Sequence, residues 1–420
     1  MSRSIGRIFS RMTLAAAMLF VASAFAAEWP QYRGPDHDGI TPDKINTQWP
    51  PGGPKMLWKI PLGSSLGSFV TDGKKVFVYQ MRGTVPSGAE TLTAIDAATG
   101  RAIWQRDIDG ATKYESGGGD GPRSTPTYND GKVYVLSTYL KLGCLDASDG
   151  RVIWAHDLRA EFGGKEPRWG NACSPLIDGD LVFVCGGGKG ESLIAFDKKT
   201  GKVVWKGQDD KPTHATPIPA TIGGVRQIIF FTVAGLVSVK PETGQVLWRQ
   251  PFKFSTSTSA SPVLCGEDIV YCSAGYGVGG GAYQIKKDGE TFTSTQLWFK
   301  PGQDINHWST PVYKDGYLYG LYGFKEFKTE PLKCIDVKTG DEKWSHKGFG
   351  QGQVILVDDN LMIVSDIGEL ILAKPNPDSY QEIARCHPIT GKCWTDPAVA
   401  EGKIYLRSQT GAVCLDATPK

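Results

Sequence analysis

The sequence predicts an all-β fold, an eight-bladed β-propeller of four-stranded antiparallel blades closed by an N-terminal strand that completes the C-terminal blade. Three observations predict it. A hairpin motif recurs down the chain, a second two-strand motif precedes each copy, and the chain ends are complementary fragments of one repeat.

Each hairpin copy is a short apolar run, a turn with one glycine, and a second run ending in Trp. AIDAATGRAIWQ at 94–105 is followed by CLDASDGRVIWA at 144–155, AFDKKTGKVVWK at 195–206, SVKPETGQVLWR at 238–249 and CIDVKTGDEKWS at 334–345. A degraded copy, IKKDGETFTSTQLWF at 285–299, keeps the closing Leu-Trp and loses the turn. Asp96, Asp146, Asp197 and Asp336 can accept hydrogen bonds from the amides of the turn they open, and the turn glycines supply the left-handed conformation that closes it. Because these carboxylates recur with the repeat, they are turn formers rather than catalytic acids.

The closing residues are Trp58, Trp104, Trp154, Trp205, Trp248, Trp298 and Trp344, with Ile383-Ala384-Arg385 as a Trp-less eighth. Their spacing of roughly 40 to 50 residues is the length of a four-stranded blade. Upstream of the hairpins lie GPRSTPTYNDGKVYVL (121–136), GNACSPLIDGDLVFVC (170–185), HATPIPATIGGVRQIIFF (214–231), SASPVLCGEDIVYC (259–272), HWSTPVYKDGYLYG (307–320) and CWTDPAVAEGKIYLR (393–407). Residues 66–79 and 351–364 keep that shape without the Pro, and these segments supply the two inner strands of each blade. Residues 56–60, MLWKI, resemble a last strand without its predecessors, whereas KIYLRSQTGAVCLDATPK at the C-terminus lacks a closing Trp. Pairing the two closes the ring and removes exposed sheet edges.

The domain reading is a signal peptide at 1–26, an extended arm at 27–55 and one propeller domain at 56–420. Arg3, Arg7 and Arg11 precede an apolar run from Leu14 to Ala22 and then Ala24-Phe25-Ala26, the pattern of a Sec signal cleaved near Ala26, so a periplasmic or secreted location is expected. Cleavage removes three Arg and no acid, changing the balance of 46 Lys+Arg against 44 Asp+Glu to near neutrality, which points away from nucleic acid. No apolar stretch is long enough for a transmembrane span. In the arm, Trp29, Tyr32 and Trp49 are its expected anchors, and His37 between Asp36 and Asp38 reads as a solvated turn rather than a metal fragment.

Of nine cysteines, Cys144, Cys334 and Cys414 occupy a small core position of the hairpin. Cys386 with Cys393 and Cys173 with Cys185 are the pairs placed for a bridge, free buried thiols being the other expectation. The Gly triplets at 117–119, 186–188 and 279–281 open no helix and read as strand-connecting loops. His156 and His346 follow closing tryptophans and are expected at the surface.

The AxDxxTGxxxW hairpins and xSPxxxDGxxYV inner strands resemble the pyrrolo-quinoline-quinone-like (PQQ-like) eight-bladed propeller repeat over residues 28–417. The opening WPQYRGPDHDGI resembles exported, planctomycete-type members of that family. The resemblance implies either of two functions: quinone-dependent alcohol dehydrogenases and a periplasmic lipoprotein that helps insert outer-membrane barrels both carry the repeat. The dehydrogenases hold the quinone between a Trp and a disulfide of adjacent cysteines, with calcium and an Asp base. No two cysteines here are adjacent, and the lipoprotein's lipidated cysteine is missing.

Residues that break the repeat are the functional candidates. Three tryptophans belong neither to the arm nor to blade closure: Trp169, Trp308 and Trp394 all fall at inner-strand starts. Those starts gather at one mouth of a propeller channel, so Arg123, Trp169, Asn171, His214, His307, Trp308, Gln353 and Trp394 are the predicted ligand-binding set, and no catalytic or metal set is assigned. The expected function is an exported binding scaffold without a cofactor, a monomer taking a protein or carbohydrate partner at a propeller face and leaning away from enzyme. The alternative is a PQQ- and Ca2+-dependent oxidoreductase. A glycan-cleaving enzyme would need paired acids, and only Asp120 and Asp396 lie near the rim.

Overall fold

Short apolar runs punctuated by Asp and Gly turns leave each blade one folding option, an up-and-down antiparallel meander. The computed structural model describes residues 28–114, 119–254, 256, 258–302, 306–323 and 329–419, so the signal-peptide expectation lies outside the described residues. Seven sheets have four strands and one has five. Blade 1 comprises Val70–Thr71, Lys75–Arg82, Ala89–Asp96 and Ala102–Gly110. Blades 2 to 7 follow in the same inner-to-outer order, beginning at Thr127, Leu176, Ile218, Val263, Val312 and Gln353. Blade 8 contains Ala398–Ala400, Lys403–Arg407 and Gly411–Asp416. Its outer strand is Lys55–Pro61, antiparallel to Gly411–Asp416, with Trp58 opposite Cys414. The chain ends therefore close the ring as predicted. The single helix among the described residues, Leu158–Phe162, follows blade 2.

The blades are joined by the closing tryptophans. Trp104 donates Nε1–H to Ala147 O (3.1 Å), Trp154 to Lys198 O (3.1 Å), Trp205 to Pro241 O (2.6 Å) and Trp298 to Val337 O (2.8 Å), each reaching the hairpin turn of the next blade. Its indole face lies on the glycine of that turn. Gly244, at φ +70°, would place a Cβ 2.5 Å from Trp205, so this position excludes a side chain both by backbone conformation and by space. Trp248 is the exception, because the outer hairpin of blade 5 lacks the Asp-to-Gly turn of the other copies and runs on to a two-residue turn at Gly289-Glu290; Trp248 bonds instead to Gln227 Oε1 of its own blade (2.6 Å). The core is correspondingly distributed between blades, as where Leu136, Leu142 and Trp154 of blade 2 pack on Val182, Val184 and Phe196 of blade 3.

The turn carboxylates act as expected: Asp96 Oδ1 accepts from the amides of Ala98 and Thr99. All nine cysteines are free and buried, and burial pushes the Cys173 thiol up to about 12. His156 differs from expectation. It is half-buried, stacked on Phe196 at 4.8 Å, with Nδ1 2.6 Å from Glu161 Oε2 on the short helix.

The arm also does more than lie on the domain. Trp29 is fully buried and pairs with Thr71, Tyr128 donates its amide to Pro30 O, and Ile40–Thr41 adds a parallel strand to Gln353–Val357, the fifth strand of blade 7. These partners lie toward the C-terminal ends of inner strands, so residues 29–41 cross one mouth of the channel. His37 is not a solvated turn. It is 5% exposed at φ +61°, and neither ring nitrogen has a hydrogen-bond partner among the described residues. The arm's contacts with blades 1, 2, 6 and 7 carry this hairpin inward, overriding its polar composition.

Candidate functional site

The channel wall is built from the residue that precedes each inner-strand proline. It is Thr125, Ser174, Thr216, Ser261 or Thr310 in blades 2 to 6, Ser68 in blade 1 and Asp396 in blade 8. The side-chain oxygen of one blade accepts the amide of the blade before it: Ser68 N to Thr125 Oγ1 (2.9 Å), Thr125 N to Ser174 Oγ (2.9 Å), Ser174 N to Thr216 Oγ1 (3.0 Å) and Ser261 N to Thr310 Oγ1 (3.0 Å). A hydroxyl at this position therefore satisfies a backbone donor that the channel would otherwise strip of water.

The arm blocks this channel from one side. Arg33, 1% exposed, donates to the carbonyls of Thr310 (2.8 Å), Pro311 (2.9 Å) and Asp38 (2.9 Å), and its Nη1 lies 3.6 Å from Asp396 Oδ1. With Tyr32 beside it, the arm turns a through-channel into a blind funnel. The cavity holds about 110 Å³ and is lined by Tyr32, Ser68, Thr125, Ser174, Thr216 and Asp396 below and by aromatic residues above.

The aromatic residues form an arc. Trp169 and Tyr276 stack at 6.0 Å and 11°, Tyr276 meets His307 edge-on at 5.2 Å, His307 meets Trp308 at 4.7 Å, and Trp308 stacks on Trp394 at 5.1 Å and 20°. The Gln353 amide holds the last pair, Nε2 donating to Trp308 O (3.2 Å) and Trp394 O (2.8 Å). Gln353 Oε1 is buried with no hydrogen-bond partner among the described residues. Lys392 lies 4.5 Å over the Trp394 ring, and the Arg123 guanidinium lies 4.1 Å over Tyr114.

Burial governs the titration of the site. It pushes His214 down to about 4, with Arg123 adding to the effect, so the imidazole is neutral at physiological pH. Asp396 is raised to about 6 by burial, against the pull of Arg33. Tyr32 is raised to about 12, chiefly by burial and then by Asp396. The site thus offers π faces, a neutral imidazole and two buried acceptor oxygens, Gln353 Oε1 and Asp396 Oδ1, that lack hydrogen-bond donors.

Seven of the eight sequence-selected residues line this one cavity: Arg123, Trp169, His214, His307, Trp308, Gln353 and Trp394. Asn171 does not. Its side chain closes its own turn, accepting from Cys173 N (3.1 Å) and donating to Cys173 O (3.0 Å). Asp120 accepts from Tyr114 N at the rim and is outside the lining. Sequence reasoning missed Tyr276 and placed Tyr32 only as an anchor. Tyr276 sits at φ +61° inside Gly275-Tyr276-Gly277, and that Gly pair around an aromatic residue was the available signal.

A quinone with calcium, in the manner of the dehydrogenases that share the repeat, does not fit these residues. Asp396 is the one carboxylate in the described lining, and among the described residues no group of three or more His, Cys, Asp or Glu is placed to hold a metal ion. No adjacent cysteines exist to back a quinone ring.

Known proteins match the chain in two groups. Quinohemoprotein alcohol dehydrogenase ADH IIB from Pseudomonas putida is 29% identical over 177 residues, 38% of this chain and 23% of its own length. The chain spans between 23% and 40% of the length of this enzyme and of four other alcohol dehydrogenases that it matches. Outer membrane protein assembly factor BamB from Yersinia pestis is 26% identical over 330 residues, 76% of this chain and 67% of its own length. Among solved structures, quinohemoprotein alcohol dehydrogenase from Comamonas testosteroni covers 95% of the chain, and 82% of its own, at TM-score 0.69 and 13% identity. BamB from Moraxella catarrhalis covers 86%, and 97% of its own, at TM-score 0.58 and 14% identity. At such identities the structures show the fold. The family model described as "Outer membrane protein assembly factor BamB" matches residues 88–320, more than half the chain, and the protein belongs to that PQQ-like propeller family.

Proposed function

We propose that the protein is an exported, non-catalytic binding module that takes a protein or carbohydrate partner at the funnel mouth, works as a monomer and uses no cofactor. The observation that carries this reading is the aromatic arc, contributed by blades 3, 5, 6 and 8 around a blind cavity that presents recognition groups and only one acid. Aromatic rings supply contact area at low entropic cost, and a few converging polar groups supply orientation. The relatives described as outer membrane protein assembly factors favour a place in the cell envelope.

The second reading, a PQQ-dependent oxidoreductase, is supported by the dehydrogenase relatives and by the stacked Trp308–Trp394 pair. One experiment separates the two. Protein with and without Trp308→Ala is screened against an oligosaccharide array and a peptide-display library, and titrated with PQQ plus calcium while dye reduction by ethanol is followed. Saturable sugar or peptide binding lost in Trp308→Ala supports the binding module. PQQ binding with dye turnover, or sugar and peptide binding that survives the substitution, overturns it.

A further inference from the structure

The two acceptors without donors say more about what enters the funnel. Gln353 is 3% exposed and Asp396 3%, both line the cavity, and neither Gln353 Oε1 nor Asp396 Oδ1 accepts a hydrogen bond among the described residues. A buried acceptor left without a donor is costly, and whatever supplies that donor removes the cost. The Gln353 amide is fixed by its two bonds to Trp308 O and Trp394 O, so Oε1 cannot rotate to another partner without breaking them. Asp396 Oδ1 lies 3.6 Å from Arg33 Nη1, an ion pair beyond hydrogen-bond distance.

That guanidinium also restricts the kind of donor. A ligand ammonium would approach Asp396 against the charge of Arg33, whereas an uncharged hydroxyl donates to the same oxygen without that repulsion. The walls select further. Trp308 and Trp169 are half-buried and line the cavity, and an indole there suits a flat apolar face. A pyranose ring combines both demands: an apolar C–H face and several hydroxyl donors around one rim. A peptide presents one backbone N–H per residue, on alternating sides, and meets one acceptor at a time.

We infer that the funnel takes a neutral saccharide, one pyranose unit lying against the Trp308 side of the arc with its hydroxyls donating to Gln353 Oε1 and Asp396 Oδ1. This rests on the binding-module reading and narrows it to carbohydrate. The sugar is either free in solution or a unit of a longer chain, and the probes distinguish these.

The test uses tryptophan emission and saturation-transfer NMR with glucose, galactose, maltotriose, cellotriose and chitotriose as probes, on the wild-type protein, Asp396→Asn and Trp308→Ala. Removing the charged acceptor is expected to weaken binding about tenfold, the effect of one hydrogen bond to a charged group. Thermal melts of both variants establish that they are folded. Saturable binding of a trisaccharide weakened about tenfold in Asp396→Asn supports the inference for a chain end or chain unit, and the same result with a monosaccharide supports it for a free sugar. Sugar binding unchanged in Asp396→Asn overturns it, as does no sugar binding while display peptides bind in a Trp308-dependent way; in both cases the binding module survives. PQQ and calcium binding with turnover overturns the inference and the module together.

Discussion

Asp396 gives a direct test of how the arm and ring were balanced. The carboxyl is fully enclosed, 3.6 Å from Arg33, and burial raises it from 3.8 to about 6 despite that cation. The folded protein therefore holds this proton more tightly than the unfolded chain. Below pH of about 4 both states carry neutral Asp and the group has no effect on stability. As pH rises through 6 the folded state must release a proton it prefers to keep, and stability falls. At about 1.4 kcal/mol per pKa unit, the ionised carboxylate costs about 3 kcal/mol at pH 7.5. Asn has the shape of the protonated acid and never ionises. Asp396→Asn should therefore raise the urea-unfolding free energy by about 3 kcal/mol at pH 7.5, with the gap closing toward zero at pH 4. Every other titrating group is common to the two proteins and cancels in the difference. A gap independent of pH, or a variant less stable than wild type at pH 7.5, would refute the reasoning, because it would mean that the Arg33 contact outweighs the desolvation.

Two further expectations rest on single contacts. Trp205→Ala removes the indole that covers Gly244 and its bond to Pro241 O, and should destabilise the ring by roughly 3–5 kcal/mol in thermal melts; an unchanged melting temperature would contradict the inter-blade role. Burial, aided by Arg226, pushes His37 down from 6.5 to about 3, so its neutral form is required for folding: its contribution is complete above 6.5 and is lost as pH falls. At pH 5 the deficit is about 2 kcal/mol, so His37→Leu should flatten the loss of melting temperature between pH 7.5 and 5, and an equally steep loss in the variant would exclude His37 as its source.

The ring was legible in the sequence because each of its positions is written several times. Asp96, Gly244 and Trp205 do local jobs that most blades repeat, and seven closing tryptophans with the Trp-less strand at Ile383-Ala384-Arg385 give the number of blades. The degraded copy of blade 5 is readable as a departure from the motif, but the hairpin keeps a tight turn at Gly289-Glu290, and the sequence does not show that Trp248 turns back to Gln227. Single-copy segments had no such check. The Pro- and Gly-rich composition of the arm reads as an extended segment and no more, yet its backbone pairs with Thr71 and with Leu356 and Val357, and its Arg33 enters the channel. Nothing periodic announces such pairing, since the partner lies hundreds of residues away and belongs to the ring's geometry rather than to a motif.

The funnel shows the same division within single residues. Trp169, Trp308 and Trp394 could be found because they fall outside the repeat's use of Trp, and the propeller's symmetry brings strand starts from distant blades to one mouth. Asn171 sits at the same strand-start height and was selected by the same rule, but a side chain two residues before an unpaired backbone amide closes a local turn more readily than it reaches the channel. Asp396 carries the opposite case. Its place is the hydroxyl position of the belt, where six blades carry Ser or Thr and four of those hydroxyls, on Thr125, Ser174, Thr216 and Thr310, accept a neighbour's amide. A carboxylate there brings a charge that a hydroxyl does not, and the arm answers it with Arg33, whose Nη1 pairs with Oδ1 at 3.6 Å without supplying it a hydrogen bond. The substitution of an acid for a hydroxyl in one blade of eight thus ties the arm, the floor of the funnel and the chemistry of its occupant to a single residue.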